Sequence, residues 1–227
     1  MLIAVQMDPI ENIDPTSDST FSMMLEALKR NYTIYIYNVK DLTFKDTIVS
    51  TVARKILNLN RKKSGFFSLA EEEKINLNDF RVVLMRLDPP FNMSYITATH
   101  ILEKIHPKTL VVNNPQSVRN SPEKLMVTQF NDITPSTLIT RSLSEINKFQ
   151  NGHEKVIMKP LYGNGGKDIF LLNKSDPNCN VLIESMLENI KEPMIFQEYL
   201  PNVSKGDKRI LLIDGNPVGA INRLPQK

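Results

Sequence analysis

The chain is expected to be an α/β protein: a parallel sheet covered by helices, followed by a smaller α+β unit. Three observations lead there. Short apolar or β-branched runs alternate with helix-period stretches through residues 2–112, the pattern of strands buried on both faces between helices. Residues 137–199 then read as strand, helix, strand, strand, helix, strand, which suits a small two-layer lid. Inside that lid a strand carrying Lys159 runs into Gly163-Asn164-Gly165-Gly166 and on into a second strand.

Residues 2–7 form an apolar strand that stops at Asp8-Pro9. Asp18 is suited to cap a helix in which Phe21, Met24, Leu25 and Leu28 recur at i, i+3, i+4 and i+7. Residues 32–37, β-branched and aromatic, make the next strand, and residues 82–85 a third, broken at Asp88-Pro89-Pro90. A helix over 94–105 and a fourth strand over 109–112 follow. Ligands of such sheets gather beyond the strand C-terminal ends, which is where Asp8, Arg86, Asp88 and Asn113 fall. Asp8 and Asn113 are read only as turn formers. Residues 44–78 are polar and weakly periodic, and no element is assigned to them.

A boundary is expected near Ser121-Pro122, with the serine as N-cap and the proline at the first position of a short helix carrying Lys124. The lid elements are a strand over 137–140, a helix over 144–149, the lysine strand, the flap, a second strand, a helix with Ile183, Met186, Leu187 and Ile190 on one face, and a strand over 194–199. Residues 208–213 and 217–221 flank Asp214-Gly215-Asn216, a good hairpin turn. A two-stranded hairpin is marginal by itself, so this last unit reads as incomplete. The organisation expected is thus 1–120, 121–200 and 201–227.

At 227 residues, 41% hydrophobic and 23% charged, the chain can bury a sizeable core and falls in the ordinary globular range. Its net charge of +3 is small and its basic residues are scattered apart from Arg61-Lys62-Lys63, so no nucleic-acid partner is expected. The single cysteine, Cys179, cannot form an internal disulfide and has no recognisable catalytic partner, so it is read as inert. No apolar run approaches the roughly 20 residues of a membrane span, and the N-terminus reads as a core strand, not a signal peptide. A cytoplasmic protein without membrane partners is the expectation. His100, His106 and His153 show no metal-ligand spacing and are taken as surface or helix-packing residues.

The glycine loop carries the chemistry. Three glycines within four positions let the backbone adopt positive φ and bring its amides close to a ligand, while Lys159 ends the preceding strand. A multi-oxygen anion, above all a nucleotide polyphosphate, is the natural guest; a plain glycine-rich hairpin is the alternative. The P-loop pattern fails, because Leu161 stands at its first glycine and Asp168 at its hydroxyl position. The dinucleotide fingerprint fails at Asp168 too, and Ile169-Phe170-Leu171-Leu172 continues as strand, so the loop is a hairpin flap.

Several further blocks accompany the flap in order: Met7-Asp8-Pro9-Ile10, Met85-Arg86-Leu87-Asp88-Pro89-Pro90-Phe91, Val112-Asn113-Asn114-Pro115-Gln116-Ser117, Met158-Lys159-Pro160-Leu161-Tyr162-Gly163, Gln197-Glu198-Tyr199-Leu200-Pro201 and Gly206-Asp207-Lys208-Arg209. Together they resemble the prokaryotic glutathione synthetases of the ATP-grasp superfamily, over essentially the whole chain. The flap alone indicates only ATP-grasp; the Met-Arg-x-Asp-Pro-Pro-Phe block narrows it to this enzyme family. The resemblance implies an ATP-grasp architecture: an N-terminal parallel α/β domain, a small α+β lid and an incomplete C-terminal antiparallel sheet unit. It implies the ADP-forming ligation of γ-glutamylcysteine to glycine through an acyl phosphate, with ATP as co-substrate and Mg²⁺ or Mn²⁺ as metal, and assembly into homotetramers.

The roles implied are as follows. Lys124 and Lys159 hold ATP phosphates beneath a flap containing Gly163, Gly165 and Gly166. Glu198, Tyr199 and Leu200 lie on a hinge strand that contacts adenine largely through backbone groups, and Asp207 is a nucleotide-side residue. Arg209 and Arg223 are the transition-state or phosphate-binding arginines, while Arg86 and Asp88 face the peptide substrate. No metal ligand is assigned, because family members continue past residue 227 and the carboxylate and asparagine ligands are expected there. Three readings follow: a glutathione synthetase represented without its C-terminal part, a catalytically impaired ATP-grasp remnant that only binds nucleotide or a partner, and a related peptide ligase with another acceptor amino acid.

Overall fold

The computed structural model describes residues 1–62, 64–163 and 165–224; Lys63 of the basic triplet, Asn164 of the flap and positions 225–227 lie outside the described residues. The chain divides into two compact units, Met1–Met126 with the short piece at 162–164, and Val127–Leu161 with Gly165–Lys227.

The first unit contains strands β1 (Leu2–Gln6), β2 (Thr33–Tyr37), β3 (Thr43–Lys45), β4 (Ile48–Leu59), β5 (Phe67–Asn76), β6 (Val82–Met85) and β7 (Leu110–Val112), with helices α1 (Ser19–Lys29), α2 (Met93–Glu103), α3 (Pro115–Asn120) and α4 (Glu123–Met126). Its sheet runs β3-β4-β2-β1-β6-β7, and β5 pairs with β4. The four strands expected from the apolar runs form the parallel centre, β1 lying between β2 and β6, and β6 beside β7. Alternation along β1 divides the core. Ala4 faces a cluster with Val83, Leu102 and Val111, while Ile3 and Val5 face Phe21 and Met24 of α1. The Asp18 carboxylate accepts from the Phe21 N–H at 2.6 Å, as the N-cap expectation requires.

Residues 44–78, to which no element was assigned, hold two long antiparallel strands, so the sheet is mixed and not purely parallel. Two physical features hide them. Register shifts between Arg54 and Ile56 and between Ile56 and Asn58 break the period of two, and β5 carries the exposed run Glu71-Glu72-Glu73-Lys74. Arg61 is a structural residue, its guanidinium donating to the Pro15 carbonyl at 2.8 Å and to Ser22 Oγ at 2.9 Å. Ser121 closes α3 as its C-cap, so it does not cap the next helix, which begins at Glu123. Helix α3 itself went unassigned; Asn114 caps it by accepting from Ser117 N–H at 3.0 Å, with Pro115 in its first turn.

The second unit holds β8 (Thr137–Thr140), α5 (Leu143–Asn151), β9 (Lys155–Pro160), β10 (Phe170–Asn173), α6 (Cys179–Asn189) and β11 (Met194–Glu198), in the order expected for the lid. Its antiparallel sheet runs β10-β9-β11-β8. Val156, Met158, Leu172, Met194 and Phe196 pack on one face against Ile146 of α5 and Ile183 and Leu187 of α6. A separate hairpin follows, β12 (Asp207–Ile213) and β13 (Asn216–Arg223), joined by the two-residue turn Asp214-Gly215. Every residue in both strands is exposed, including Ile210, Leu212, Val218 and Ile221, each more than half so.

Candidate active site

In the second unit, alternation along the strands decides which side chains serve the core and which the opposite face. Met158 and Pro160 are buried, and Lys159 between them points away from the helices. Its register partner is Ile195, and Gln197 two residues on projects to the same face. Lys159 Nζ donates to Gln197 Oε1, and Gln197 Nε2 donates to Thr137 Oγ1 at 2.8 Å. The ammonium is thus held by a polar chain crossing β9, β11 and β8. Gln197 is a buried polar residue directly after the apolar run Met194-Ile195-Phe196, and that mismatch is the signal by which it could have been assigned a positioning role.

The flap leaves β9 and returns as β10, with Met158 opposite Phe170. Gly165 and Gly166 have φ of 67° and 75°, and a Cβ built on either would meet nothing within 4 Å. Glycine is required there by backbone conformation, not by crowding.

At the end of β11, the Glu198 N–H donates to the Ser136 carbonyl at 3.0 Å and the Tyr199 N–H to the Lys155 carbonyl at 3.2 Å. Those two donors of the expected hinge therefore hold the strand in the sheet. Leu200, about half exposed, precedes a 3₁₀ turn at Pro201–Lys205.

On the hairpin, Asp207 stands opposite Arg223, and Arg223 forms an ion pair with the Asp207 carboxylate through Nε and Nη2. Arg209 lies opposite Ile221, so Asp207, Arg209 and Arg223 share one face of the hairpin. A Cβ on Gly206, at φ +105°, would lie 2.7 Å from the Arg223 carbonyl, so this glycine lets the two strands close at the ion pair.

In the first unit, Arg86 follows β6 directly and its N–H donates to the Gln6 carbonyl at 2.8 Å. Its Nε donates to Thr20 Oγ1 and its Nη2 to Ser19 Oγ, both at 2.9 Å, on the first turn of α1. Two of the five guanidinium N–H groups are fixed by these hydroxyls, which aims the remaining edge. The Asp88 N–H donates to Asp8 Oδ2 at 3.0 Å, so Asp8, read only as a turn former, anchors the loop that presents Asp88. Lys124 lies on α4, half-buried. His106 is a packing residue: its Nδ1 accepts from the Val111 N–H at 3.2 Å.

Among the described residues no group of three or more His, Cys, Asp or Glu side chains converges on a point that could hold a metal ion. No described helix is long and apolar enough to cross a membrane.

Comparison with known proteins agrees with this arrangement. Residues 1–119 match the family model of the prokaryotic glutathione synthetase N-terminal domain, and residues 123–227 match that of its ATP-grasp domain. The glutathione synthetase of Agrobacterium fabrum is 51% identical over 224 residues, covering 98% of this chain and 70% of that protein. The Escherichia coli K12 glutathione synthetase is 41% identical, covering 99% of this chain and 71% of its own length. Among solved structures, D-cycloserine synthetase DcsG superposes with a TM-score of 0.64 at 15% identity, over 99% of this chain and 68% of that one. A RimK domain ATP-grasp protein from Sphaerobacter thermophilus gives 0.62 at 13% identity, over 98% and 73%. At such identities the two structures speak to the fold alone, and the fold is ATP-grasp. With the two family models together matching residues 1–119 and 123–227, and relatives 41–51% identical over nearly the whole chain, the chain belongs to the prokaryotic glutathione synthetase family.

Proposed function

We propose that the chain carries the ATP-side and dipeptide-side machinery of an ADP-forming ligase that joins γ-glutamylcysteine to glycine. The observation that carries the reading is Lys159, held by Gln197 on the helix-free face of the lid sheet and followed four residues later by the flap. An ammonium fixed beside a run of positive-φ backbone suits a polyphosphate.

In the reaction, a cysteinyl carboxylate oxygen bonds to the γ-phosphorus of ATP as the bond to the β-phosphate oxygen breaks, releasing ADP. The glycine amine then forms a C–N bond to the acyl carbon. The C–O bond to the phosphoryl group breaks, and phosphate leaves as the amine loses a proton. No enzyme nucleophile is needed, so the contribution of the chain is positioning and charge neutralisation. Lys159 and Lys124 neutralise the phosphates, and the flap with Gly163, Gly165 and Gly166 covers them. Glu198, Tyr199 and Leu200 border the adenine, Arg86 and Asp88 orient the dipeptide, and Arg209, Arg223 and Asp207 act on the nucleotide side. ATP chemistry of this family uses a divalent metal, and no step is assigned to it.

The test is ADP and glutathione formation from Mg²⁺-ATP and γ-glutamylcysteine, with and without glycine. Glycine-dependent formation of both products is the expected result. Turnover with alanine or glutamate in place of glycine would overturn the acceptor assignment. ATP binding without turnover would favour the nucleotide-binding remnant.

A further inference from the structure

The loops that follow β1 and β2 border, together with β4 and β5, a cavity of about 420 Å³ to which no role has been assigned. Met7, Ile10 and Ile36 give it an apolar wall, and all three are buried. The rest of the lining carries both signs of charge: carboxylates from Asp8, Glu11, Asp41 and Glu72, and cations from Lys40 and Arg54. An apolar wall beside groups of both signs suits an occupant that is apolar at one end and charged at the other.

Arg54 narrows the choice. It is half-buried, and its register partners are Ile36 on β2 and Glu72 on β5, so the three side chains project to one face of the sheet. Its Nε donates to the Ala70 carbonyl at 2.9 Å, which fixes the guanidinium plane. Among the described residues its two Nη groups have no hydrogen-bond partner, and it forms no ion pair with Glu72 or any other lining carboxylate. A guanidinium anchored through Nε keeps its Nη edge for a planar two-oxygen group, the geometry that receives a carboxylate. Of the lining acids, Glu11 and Glu72 are exposed and Asp8 accepts the Asp88 N–H. Asp41 is half-buried, and its carboxylate has no partner among the described residues.

We infer that this cavity binds a free α-amino acid with an apolar side chain, its carboxylate on Arg54, its ammonium on Asp41 and its side chain against the wall of Met7, Ile10 and Ile36. Charge selects the class. A simple carboxylic acid would add a fifth negative group to a lining of four carboxylates and two cations, whereas a simple amine would leave the Arg54 edge unmet. A zwitterion answers both, and the buried wall favours an apolar side chain over a polar one. Neither Arg86 nor Asp88 lines the cavity, so the inference stands apart from their assignment to the dipeptide.

The experiment is calorimetric titration of the chain with leucine and with leucine stripped of one group at a time. Saturable leucine binding is expected. 3-Methylbutylamine, which lacks the carboxylate, and 4-methylpentanoate, which lacks the ammonium, should each bind at least about tenfold more weakly, and so should serine. In Arg54→Met the preference for leucine over 3-methylbutylamine should vanish, because the lost receptor and the lost carboxylate are one interaction. Asp41→Asn is the second variant, needed should Arg54→Met not melt cooperatively. It should weaken leucine about tenfold and leave 4-methylpentanoate within about threefold of its affinity for the unaltered chain. No leucine binding up to about 10 mM would overturn the inference. Leucine affinity unchanged in a cooperatively melting variant would do the same. A last titration is run with γ-glutamylcysteine present, where leucine affinity is expected to stay within about threefold. Mutually exclusive binding would make the cavity part of the dipeptide site and overturn its assignment to a free amino acid.

Discussion

Lys159 and Gln197 meet across adjacent antiparallel strands, and Gln197 is held in turn by the Thr137 hydroxyl. The buried amide fixes a flexible lysine in one orientation before any ligand arrives, which lowers the cost of ordering it on binding. Lys159→Ala should weaken ATP by about 100-fold and Gln197→Leu by about tenfold, on the scale of losing a hydrogen bond to a charged group. Both variants should melt cooperatively. Calorimetric titration with ATP checks the order; a larger loss in Gln197→Leu than in Lys159→Ala would contradict it.

Gly166→Ala separates conformation from space. At φ 75° an alanine costs about 1–2 kcal/mol of backbone strain, although its methyl group meets nothing within 4 Å. The flap is therefore expected to move to a different conformation, leaving the core of the lid untouched. Nucleotide affinity should fall while the melting temperature changes little. A melting temperature lowered as far as a core cavity mutant would show that the flap conformation is part of the stability of the fold.

The parallel centre was legible because β1, β2, β6 and β7 are short apolar runs closed by Asp, Asn or Pro. The lid was legible because helix and strand periods alternate cleanly there. The β4–β5 pair was not, since bulges and an acidic run on its exposed side remove the period of two that identifies a strand. Among site residues, Lys159, the flap glycines and Arg86 stand inside recognisable blocks. Thr137 and Asp8 act through partners 60 and 80 residues distant, and such pairing is visible only once the sheet brings them together.

Arg86→Lys tests whether the guanidinium fork matters or only its charge. The arginine is locked by Thr20 and Ser19 through two different nitrogens, a geometry a single ammonium cannot reproduce. The dipeptide Kd should rise about tenfold with ATP affinity within about twofold of the unaltered chain. Parallel loss of both ligands would instead point to a disturbed first turn of α1.

Cys179 opens α6 with its Sγ donating to the Asn173 carbonyl at 3.2 Å. Burial, helped by the nearby Asp176 carboxylate, pushes its thiol above the ordinary range. A group with a raised folded-state value contributes stability that is complete below the unfolded thiol value and fades as pH rises through the folded one. The Cys179→Ala variant should therefore show a shallower loss of stability on the alkaline side. A thiol reagent should also react more slowly with the native chain than with the chain in denaturant at the same pH.

Gln6 and Tyr37 are register partners on β1 and β2, both buried on the α2 face, and neither the Tyr37 hydroxyl nor the Gln6 amide has a hydrogen-bond partner among the described residues. Burial raises the Tyr37 phenol far above its usual value. A buried hydroxyl without a partner costs about 1–3 kcal/mol. Tyr37→Phe removes that cost and keeps the ring, so the variant should match or exceed the unaltered chain by about 1 kcal/mol in urea unfolding. A clear loss of stability would mean that the hydroxyl and the Gln6 amide are bridged in solution by a buried water. Gln6→Leu should then lose a similar amount, and the double variant little more than either alone.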